Sequence, residues 1–404
     1  GITKGDHIAI QSNNSPMWAM ADYGIICMGA ATVSIYPTLI PKQIQYIINN
    51  SNSKAIFVEN LEQLNKLDSI LVDCPSLKAI IVLDKNYSEN REMVYGISDF
   101  IDLGTEYQNE NNVSFESMIE EIDEEDLLTL IYTSGTTGNP KGVMLTHNNV
   151  ISNINDISKE IFFDKNDKFL SFLPLSHIFE RTCGHFTPLS KGASIYYAES
   201  IEKVPDNLSE VGPTVVTSVP RLYEKMYSKI NDGLKSAPSV RRKLFSWALD
   251  VGTDSLSYRL ANKKLPLLLS LKNKIASKLV YSKVKNKLGG NLRCFVSGGA
   301  PLSKVVAEFF GSLDVLILEG YGLTETSPIL TANTENNFRL GTVGKPLQNV
   351  SIKIADDGEI LAKGPNIMKG YYENKEATNE AIDSNGWFHT GDIGNFDSDG
   401  FLSI

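Results

Sequence analysis

Segments with helical spacing and segments with the composition of buried strands alternate along the first hundred residues of the chain. The two clearest strand-like runs are Ala31 to Tyr36 and Lys54 to Val58, and helical segments precede both of them, at Trp18 to Met28 and at Pro41 to Asn50. Alternation of this kind is typical of a sheet whose faces are covered by helices. We therefore predict an α/β fold, with the first sheet in a subdomain of residues 1–165.

A second series of strand-like runs predicts a second α/β subdomain at residues 166–327. Its runs are Phe169 to Leu173, Ser194 to Tyr197, Val215 to Val219, Leu292 to Ser297 and Val315 to Leu318. The series is interrupted by a long segment at residues 225–288, in which apolar residues recur every four positions. This spacing predicts amphipathic helices.

The helical insertion is strongly basic, although the whole chain carries a net charge of −10. Residues 225–288 contain fifteen lysines and arginines against three aspartates, a net charge of +12. Two interpretations stay open. The lysine-rich face is either an ordinary solvated surface or a surface that contacts an anionic membrane or an acidic partner.

The last part of the chain, residues 328–404, has a different pattern. Ser351 to Ile354 alternates polar and apolar residues, and Gly358 to Ala362 follows an Asp-Asp-Gly turn. Short strands joined by tight turns are typical of antiparallel structure. We predict a small β-barrel subdomain here.

Composition excludes several classes of protein. With 42% apolar and 21% charged residues, the chain is neither disordered nor a polytopic membrane protein. The uncharged stretch Tyr23 to Pro41 approaches the length of a membrane span, but its glycines and prolines favour a helix followed by a strand. The acidic balance argues against nucleic acid as a partner. Four widely spaced cysteines predict reduced thiols and a cytoplasmic protein.

The strongest local signal is the run TSGTTGNPKG from Thr133 to Gly142. Its ten residues include four hydroxyl side chains, three glycines and Lys141, which suits a loop that wraps a polyphosphate. It is not a Walker A loop, because Asn139 and Pro140 stand where that motif requires its lysine, and the residues after Lys141 are strand-like. We predict a phosphate-binding loop inside a β-hairpin.

This run resembles the phosphate loop of the acyl-adenylate-forming enzymes, and four further motifs follow in the order of that family. They are PLSHIFER from Pro174 to Arg181, SGGAPLS from Ser297 to Ser303, EGYGLTET from Glu319 to Thr326 and GWFHTGD from Gly386 to Asp392. The residues of the PLSHIFER and EGYGLTET motifs, together with the basic insertion, resemble those of the long-chain fatty acid CoA ligases. The resemblance covers essentially the whole chain and implies the fold of an adenylate-forming enzyme N-terminal domain.

The resemblance implies roles for the motif residues. Thr324 would contact the α-phosphate of ATP, Glu325 would bind Mg²⁺, and Asp392 would bind both ribose hydroxyls. His177 would lie near the acyl carboxylate or at a gate to its tunnel, although an ordinary buried, hydrogen-bonded histidine fits equally well. The β and γ phosphates would be held by Thr133, Ser134, Gly135, Thr136, Thr137, Gly138 and Lys141. Adenine would lie between the ring of Tyr321 and the backbone of Gly298, Gly299, Ala300 and Pro301.

The implied reaction joins a long-chain fatty acid to AMP, with release of pyrophosphate, and then transfers the acyl group to coenzyme A. Neither step needs a nucleophile from the protein, so catalysis depends on positioning and on neutralising phosphate charge. Other readings are an adenylating enzyme for another carboxylic acid, a nucleotide-binding module without turnover, and a membrane-surface protein acting through its basic helices.

The family continues with a basic hinge and a small mobile domain that carries an adenylation lysine. The sequence stops at Ile404, ahead of these parts, and opens on Gly1. We therefore expect this chain to be the large core of a longer enzyme, with the C-terminal mobile domain absent and very low activity on its own. We also expect a cytoplasmic location, with peripheral membrane contact through residues 225–288.

Overall fold

The computed structural model describes residues 2–133, 138–261 and 263–404. The first part of the chain alternates strands and helices as the sequence predicts. Its elements are β1 (His7–Gln11), α1 (Pro16–Cys27), β2 (Ala31–Ile35), α2 (Pro41–Ser51), β3 (Ala55–Val58), α3 (Leu61–Asp68), β4 (Ala79–Val82), β5 (Val94–Gly96), α4 (Ile97–Asn111), α5 (Phe115–Glu120), β6 (Leu127–Thr133), β7 (Lys141–Thr146) and α6 (His147–Glu160).

The second part has the same alternation, with the basic insertion as four consecutive helices. Its elements are β8 (Lys168–Ser171), α7 (Ile178–Glu180), α8 (Thr187–Ser190), β9 (Ser194–Tyr197), α9 (Val204–Val211), β10 (Val215–Ser218), α10 (Pro220–Lys235), α11 (Ser239–Leu260), α12 (Leu267–Ala276), α13 (Ser282–Lys287), β11 (Cys294–Ser297), α14 (Lys304–Ser312), β12 (Leu316–Gly322) and β13 (Ile329–Ala332). Wide π-helical turns at Arg181–Phe186 and Ser277–Tyr281 join α7 to α8 and α12 to α13.

The last part consists mainly of short strands. Its elements are β14 (Lys345–Pro346), β15 (Ser351–Ile354), β16 (Glu359–Lys363), β17 (Gly370–Tyr371), α15 (Lys375–Ala381), β18 (Phe388–Ile393), β19 (Asn395–Phe396) and β20 (Leu402–Ser403). The predicted antiparallel pairing is present. A closed barrel is not: within the described residues, β15, β16 and β18 form an open three-stranded sheet, and β19 pairs with β20 alone. Two of the strands, β14 and β17, extend the two large sheets.

Two large sheets organise the molecule. The first has the strand order β17-β7-β6-β2-β1-β3-β4-β5, and the second has the order β14-β13-β12-β11-β10-β8-β9. Strands β1 to β6 are parallel to one another, as are β8 to β12, whereas β7, β17, β13 and β14 run antiparallel to their neighbours. The α/β prediction is confirmed, and each parallel sheet presents the carboxyl ends of its strands along one edge, where such folds place ligands.

The uncharged stretch from Tyr23 to Pro41 folds as the end of α1 followed by β2, as the sequence predicts. Across the part of the chain that the structure describes, no helix combines the length and the apolar composition needed to cross a bilayer. All four cysteines are free thiols, and Cys74, Cys183 and Cys294 are buried.

Candidate active site

The predicted phosphate loop connects two paired strands. Thr133 ends β6 and Lys141 begins β7, and the two residues face each other in the ladder. Gly138 has a φ of 111°, a conformation that L side chains rarely adopt, which explains a glycine there. Ser134, Gly135, Thr136 and Thr137 lie outside the described residues, so their contact with phosphate stays a prediction.

A tyrosine that the motifs do not include joins Lys141 to Glu325. Strand β17 pairs with β7, which places the ring of Tyr371 beneath Lys141, with Nζ 5.0 Å from the ring centroid. The Tyr371 hydroxyl donates a hydrogen bond of 2.8 Å to Glu325 Oε1. Burial and the neighbouring Glu325 charge raise the pKa of Tyr371, so the phenol stays protonated and remains the donor.

The turn that carries Thr324 and Glu325 is held from several sides. The backbone N–H of Leu323 donates to Thr326 Oγ1 at 2.9 Å, and Met368 N–H donates to the carbonyl oxygen of Glu325 at 2.8 Å. Gly322 cannot be replaced, because a Cβ there would lie 1.6 Å from the carbonyl oxygen of Pro328. The chain therefore fixes the backbone of these two site residues before any ligand binds.

Glu325 suits a magnesium ion that is shared with a substrate. Among the described residues, its Oε2 accepts no hydrogen bond and no group of three His, Cys, Asp or Glu side chains could hold a metal alone. Mg²⁺ commonly binds through one or two carboxylates together with substrate phosphates and water. The donor set at Glu325 fits such an ion only if phosphate oxygens complete it.

The two residues predicted to bind the nucleoside are in direct contact. The Tyr321 hydroxyl donates a hydrogen bond of 2.7 Å to Asp392 Oδ2, which joins the end of β12 to β18. Burial raises the pKa of the Tyr321 phenol, with the Asp392 charge adding to the effect. Asp392 itself is positioned by its N–H, which donates to Thr390 Oγ1 at 3.1 Å. The spacing of 71 residues between them gave no hint of this bond.

The glycine segment after β11 lies beside the same tyrosine. Gly298 and Gly299 line the cavity described below together with Tyr321, whereas Ala300 and Pro301 are exposed and are not among its lining residues. A Cβ on Gly298 would approach the Phe179 ring to 3.0 Å, and Gly299 has a φ of 78°. Both positions therefore favour glycine, and a flat backbone surface results.

A cavity of about 190 Å³ extends from this surface into the second subdomain. Its lining includes the motif residues Gly298, Gly299, Tyr321 and Thr324. Most of its wall is apolar and comes from α6, β8, β10, β11, β12 and the start of β13; the apolar lining residues include Ile157, Ile161, Phe163, Phe169, Val215, Val296, Leu318 and Ile329. The cavity thus combines residues of the predicted nucleotide motifs with a largely apolar wall.

His177 lines the cavity. The residue is exposed to solvent, although many protein atoms lie close to it. Its Nδ1 accepts a hydrogen bond of 3.1 Å from the Phe179 N–H and so caps α7. Desolvation lowers the pKa of His177, which keeps the imidazole neutral at pH 7. The position at the cavity is compatible with a residue near the substrate; the alternative of a buried, hydrogen-bonded histidine fits the hydrogen bond but not the exposure of the residue.

Two buried glutamates lie at or next to the cavity wall. Glu319 lines it directly and is 7% exposed, and burial raises its pKa to about 7. Glu180 is fully buried behind the lining residue Thr217, whose hydroxyl donates to Glu180 Oε2 at 2.5 Å, and burial raises the pKa of Glu180 to about 7 as well. Both belong to the quoted motifs, but no role was predicted for either of them.

A buried ion pair holds the segment that carries His177. Arg181 donates to both carboxylate oxygens of Asp22, at 2.9 and 2.5 Å, and to Thr129 Oγ1 at 2.7 Å. Both charged side chains are fully buried. Burial alone would raise the pKa of Asp22, but the Arg181 charge, His185 and the Thr32 hydroxyl together lower the pKa below its usual value. This contact ties α1 and β6 of the first sheet to the wall of the cavity.

Comparisons with known proteins agree with this architecture. Residues 1–372 match the AMP-binding enzyme family. The chain is 33% identical over 420 residues to the peroxisomal long chain acyl-CoA synthetase 7 of Arabidopsis thaliana, with all of this chain and 58% of that protein covered. It is 34% identical over 406 residues to the long-chain-fatty-acid–CoA ligase FadD15 of Mycobacterium bovis, with all of this chain and 65% of that protein covered.

The fold is also that of solved structures. The crystal structure of the anthranilate CoA ligase AuaEII, in complex with anthranoyl-AMP, superposes with a TM-score of 0.72 at 21% identity; the match covers all of this chain and 68% of that one. This chain spans 58 to 65% of the length of the two relatives above. The match over residues 1–372 and the shared fold lead to one conclusion: the chain belongs to the AMP-binding enzyme family.

Proposed function

We propose that the chain is the ATP- and acyl-binding core of an enzyme that activates a long-chain fatty acid to its acyl-adenylate and then transfers the acyl group to coenzyme A. The observation that carries the proposal is the convergence of distant motif residues on one largely apolar cavity. Gly298, Tyr321 and Thr324 line that cavity, Tyr321 contacts Asp392, and Glu325 follows Thr324 directly in the chain.

In the first step, a carboxylate oxygen attacks the α-phosphorus of ATP and pyrophosphate leaves. We assign Thr324 to the α-phosphate and Lys141, with Thr133 and the loop that follows it, to the β and γ phosphates. Glu325 would hold Mg²⁺, which supplies positive charge to the phosphates when bound. Asp392 would accept hydrogen bonds from the ribose hydroxyls, and the ring of Tyr321 would cover adenine opposite Gly298 and Gly299.

The largely apolar wall supports an acyl substrate, since burying an alkyl chain against it removes apolar surface from water. His177, which lines the cavity, would lie close to the reacting carboxyl group. A dry cavity of about 150 Å³ is known to hold benzene, so a cavity of about 190 Å³ takes only part of a long alkyl chain. A long-chain substrate therefore requires the cavity to widen or the chain to extend beyond it.

That volume also favours a second candidate function, the adenylation of a shorter or aromatic acid. The anthranilate ligase shares the fold, and a single ring fits the cavity without rearrangement. The two long-chain relatives are closer in sequence, at 33 and 34% identity, and for this reason we place the long-chain reading first.

Binding of non-hydrolysable acyl-adenylates distinguishes the long-chain ligase from the second candidate function without requiring turnover. Calorimetry would compare palmitoyl- and benzoyl-sulfamoyl adenosine with AMP. We expect the palmitoyl compound to bind at least about tenfold more tightly than the other two, because each buried methylene adds about 0.8 kcal/mol. Preference for the benzoyl compound would favour the second candidate, and the absence of any adenylate binding would refute both.

Turnover distinguishes an enzyme from a nucleotide-binding module. In the presence of ATP, Mg²⁺ and palmitate, acyl-adenylate formed by the protein would be trapped with hydroxylamine as the hydroxamate. Hydroxamate formation that depends on fatty acid is expected of the ligase. Tight adenylate binding with no hydroxamate from the full-length protein would indicate a module without activity.

We also propose a cytoplasmic location, which the free thiols support.

A further inference from the structure

Helix α12 presents a row of large apolar side chains to solvent. Leu267 is 92% exposed and Leu268 is 67% exposed, and Leu271, Ile275 and Leu279 continue the row at 58, 46 and 40%. Leu267, Leu271 and Ile275 are spaced by four positions, so they lie above one another on one side of α12, and Leu279 follows in the π-helical turn Ser277–Tyr281. Monomeric proteins rarely expose contiguous apolar surface of this kind without a function for it.

The opposite side of the same helical segment fixes this orientation. Ala276 and Val280 are buried in the core of the second subdomain, and Leu269 packs against that core. The helix therefore cannot rotate its leucines inward without removing these residues from the core. The leucine row, defined as Leu267, Leu268, Leu271, Ile275 and Leu279, is a fixed outer surface.

Lysines flank the leucine row on both sides. At about 100° per residue, Lys272 lies on one side of Leu271 and Lys274 lies on the other, and Lys278 is exposed in the π-helical turn beside Leu279. The chain has no Asp or Glu between Asp254 and Glu308. Among the described residues, the basic side chains of the segment 255–288 that pair with a carboxylate are Arg259 and Lys285, both with Asp314.

We propose that the leucine row inserts into the surface of an anionic membrane, with α12 lying in the plane of the interface. An apolar helix face bordered by lysines is the arrangement of interfacial helices, in which leucines enter the headgroup boundary and the ammonium groups contact lipid phosphates. A protein partner fits less well, because lysine is depleted from protein interfaces. The inference does not depend on the proposed ligase activity.

The chain offers a matched control surface. Helices α4 and α5 also expose large apolar residues, namely Phe100, Ile101, Leu103, Tyr107, Phe115 and Ile119. Acidic residues surround that surface, including Asp99, Asp102, Glu106, Glu110, Glu116 and Glu120. It has comparable apolar exposure but the opposite charge, so anionic lipid should not bind it.

The test is vesicle flotation of the parent chain and three triple variants. L267S/L271S/I275S removes apolar residues of the leucine row, K272Q/K274Q/K278Q removes the flanking charges, and I101S/L103S/Y107S alters the control surface. Vesicles contain phosphatidylcholine alone or mixed with an equal amount of phosphatidylglycerol, at low and high NaCl. Thermal unfolding checks that each variant is folded.

We expect the parent and the control variant to bind the anionic vesicles at least about tenfold more strongly than the neutral ones, with the preference reduced by salt. Both α12 variants should lose at least about tenfold in binding. A parent chain that does not float, or a leucine variant that floats like the parent, would overturn the proposal. Sedimentation velocity adds one further outcome: loss of a parent dimer in the leucine variant, without vesicle binding, would assign the surface to a second copy.

Discussion

Replacing Tyr371 by phenylalanine tests whether this tyrosine positions Glu325, the carboxylate that we propose binds magnesium. The change removes the hydroxyl that donates 2.8 Å to Glu325 Oε1 and keeps the ring beneath Lys141 Nζ. A hydrogen bond to a charged group contributes about 1.5 to 3 kcal/mol. Since Tyr371 and Glu325 are both partly exposed, we take the lower end, which corresponds to about a tenfold change in affinity.

The assay is calorimetric titration of ATP with and without Mg²⁺. We expect Tyr371→Phe to weaken ATP binding about tenfold in the presence of Mg²⁺ and to leave binding without the metal nearly unchanged, because the cation–π contact with Lys141 is retained. Tyr371→Leu should weaken both. The control is Tyr372→Phe. Tyr372 is held by its backbone N–H, which donates a hydrogen bond of 2.7 Å to the Gly142 carbonyl oxygen, so loss of its hydroxyl leaves this contact in place. Equal affinities of Tyr371→Phe and parent with Mg²⁺ would refute the positioning role.

Three further changes have defined outcomes. Asp392→Ala should weaken ATP binding at least about tenfold in calorimetry, since it removes the proposed ribose acceptor and the partner of Tyr321; unchanged affinity would exclude that assignment. Burial raises the pKa of Glu180 to about 7, so between about pH 4.5 and 7 this carboxyl group binds more protons in the folded state than in the unfolded state. The free energy of unfolding should therefore fall as the pH rises through this window. Glu180→Gln should flatten this pH dependence in urea titrations. Asp22→Ala should destabilise the fold by about 3 to 5 kcal/mol because it leaves the Arg181 charge buried alone, whereas a double change with Arg181→Met should recover much of the loss in thermal unfolding.

The sequence predicted the two large sheets because their strands carry strong local signals. Runs such as Ala31 to Ile35 and Cys294 to Ser297 are apolar and lie between helical segments. The strands β14 and β17 have only two residues each and no periodic pattern, so nothing local indicated that they extend the sheets. The predicted barrel was wrong for this reason: β17 and β14, which the prediction assigned to the small subdomain, pair with strands of the first and second large sheets.

The motifs led to candidate site residues that the structure brings together, although their roles stay predictions. Tyr321 and Asp392 were both assigned to the nucleoside, and they meet at 2.7 Å. Tyr371 was missed, since a tyrosine after Gly370 in an irregular region has no distinctive spacing. Asp22 did leave a signal that could have been used: it is the carboxylate of an otherwise uncharged helix, and a buried carboxylate requires a partner such as Arg181.

The pairing of β17 with β7 explains why the last part of the chain matters for the phosphate site. Lys141 begins β7 at the end of the predicted loop, and a free lysine side chain has many rotamers that point away from a ligand. Tyr371 can restrict those rotamers only because β17 runs beside β7, and its hydroxyl reaches Glu325 from the same strand. A change that displaced β17 would therefore release Lys141 and Glu325 together, although neither residue belongs to it.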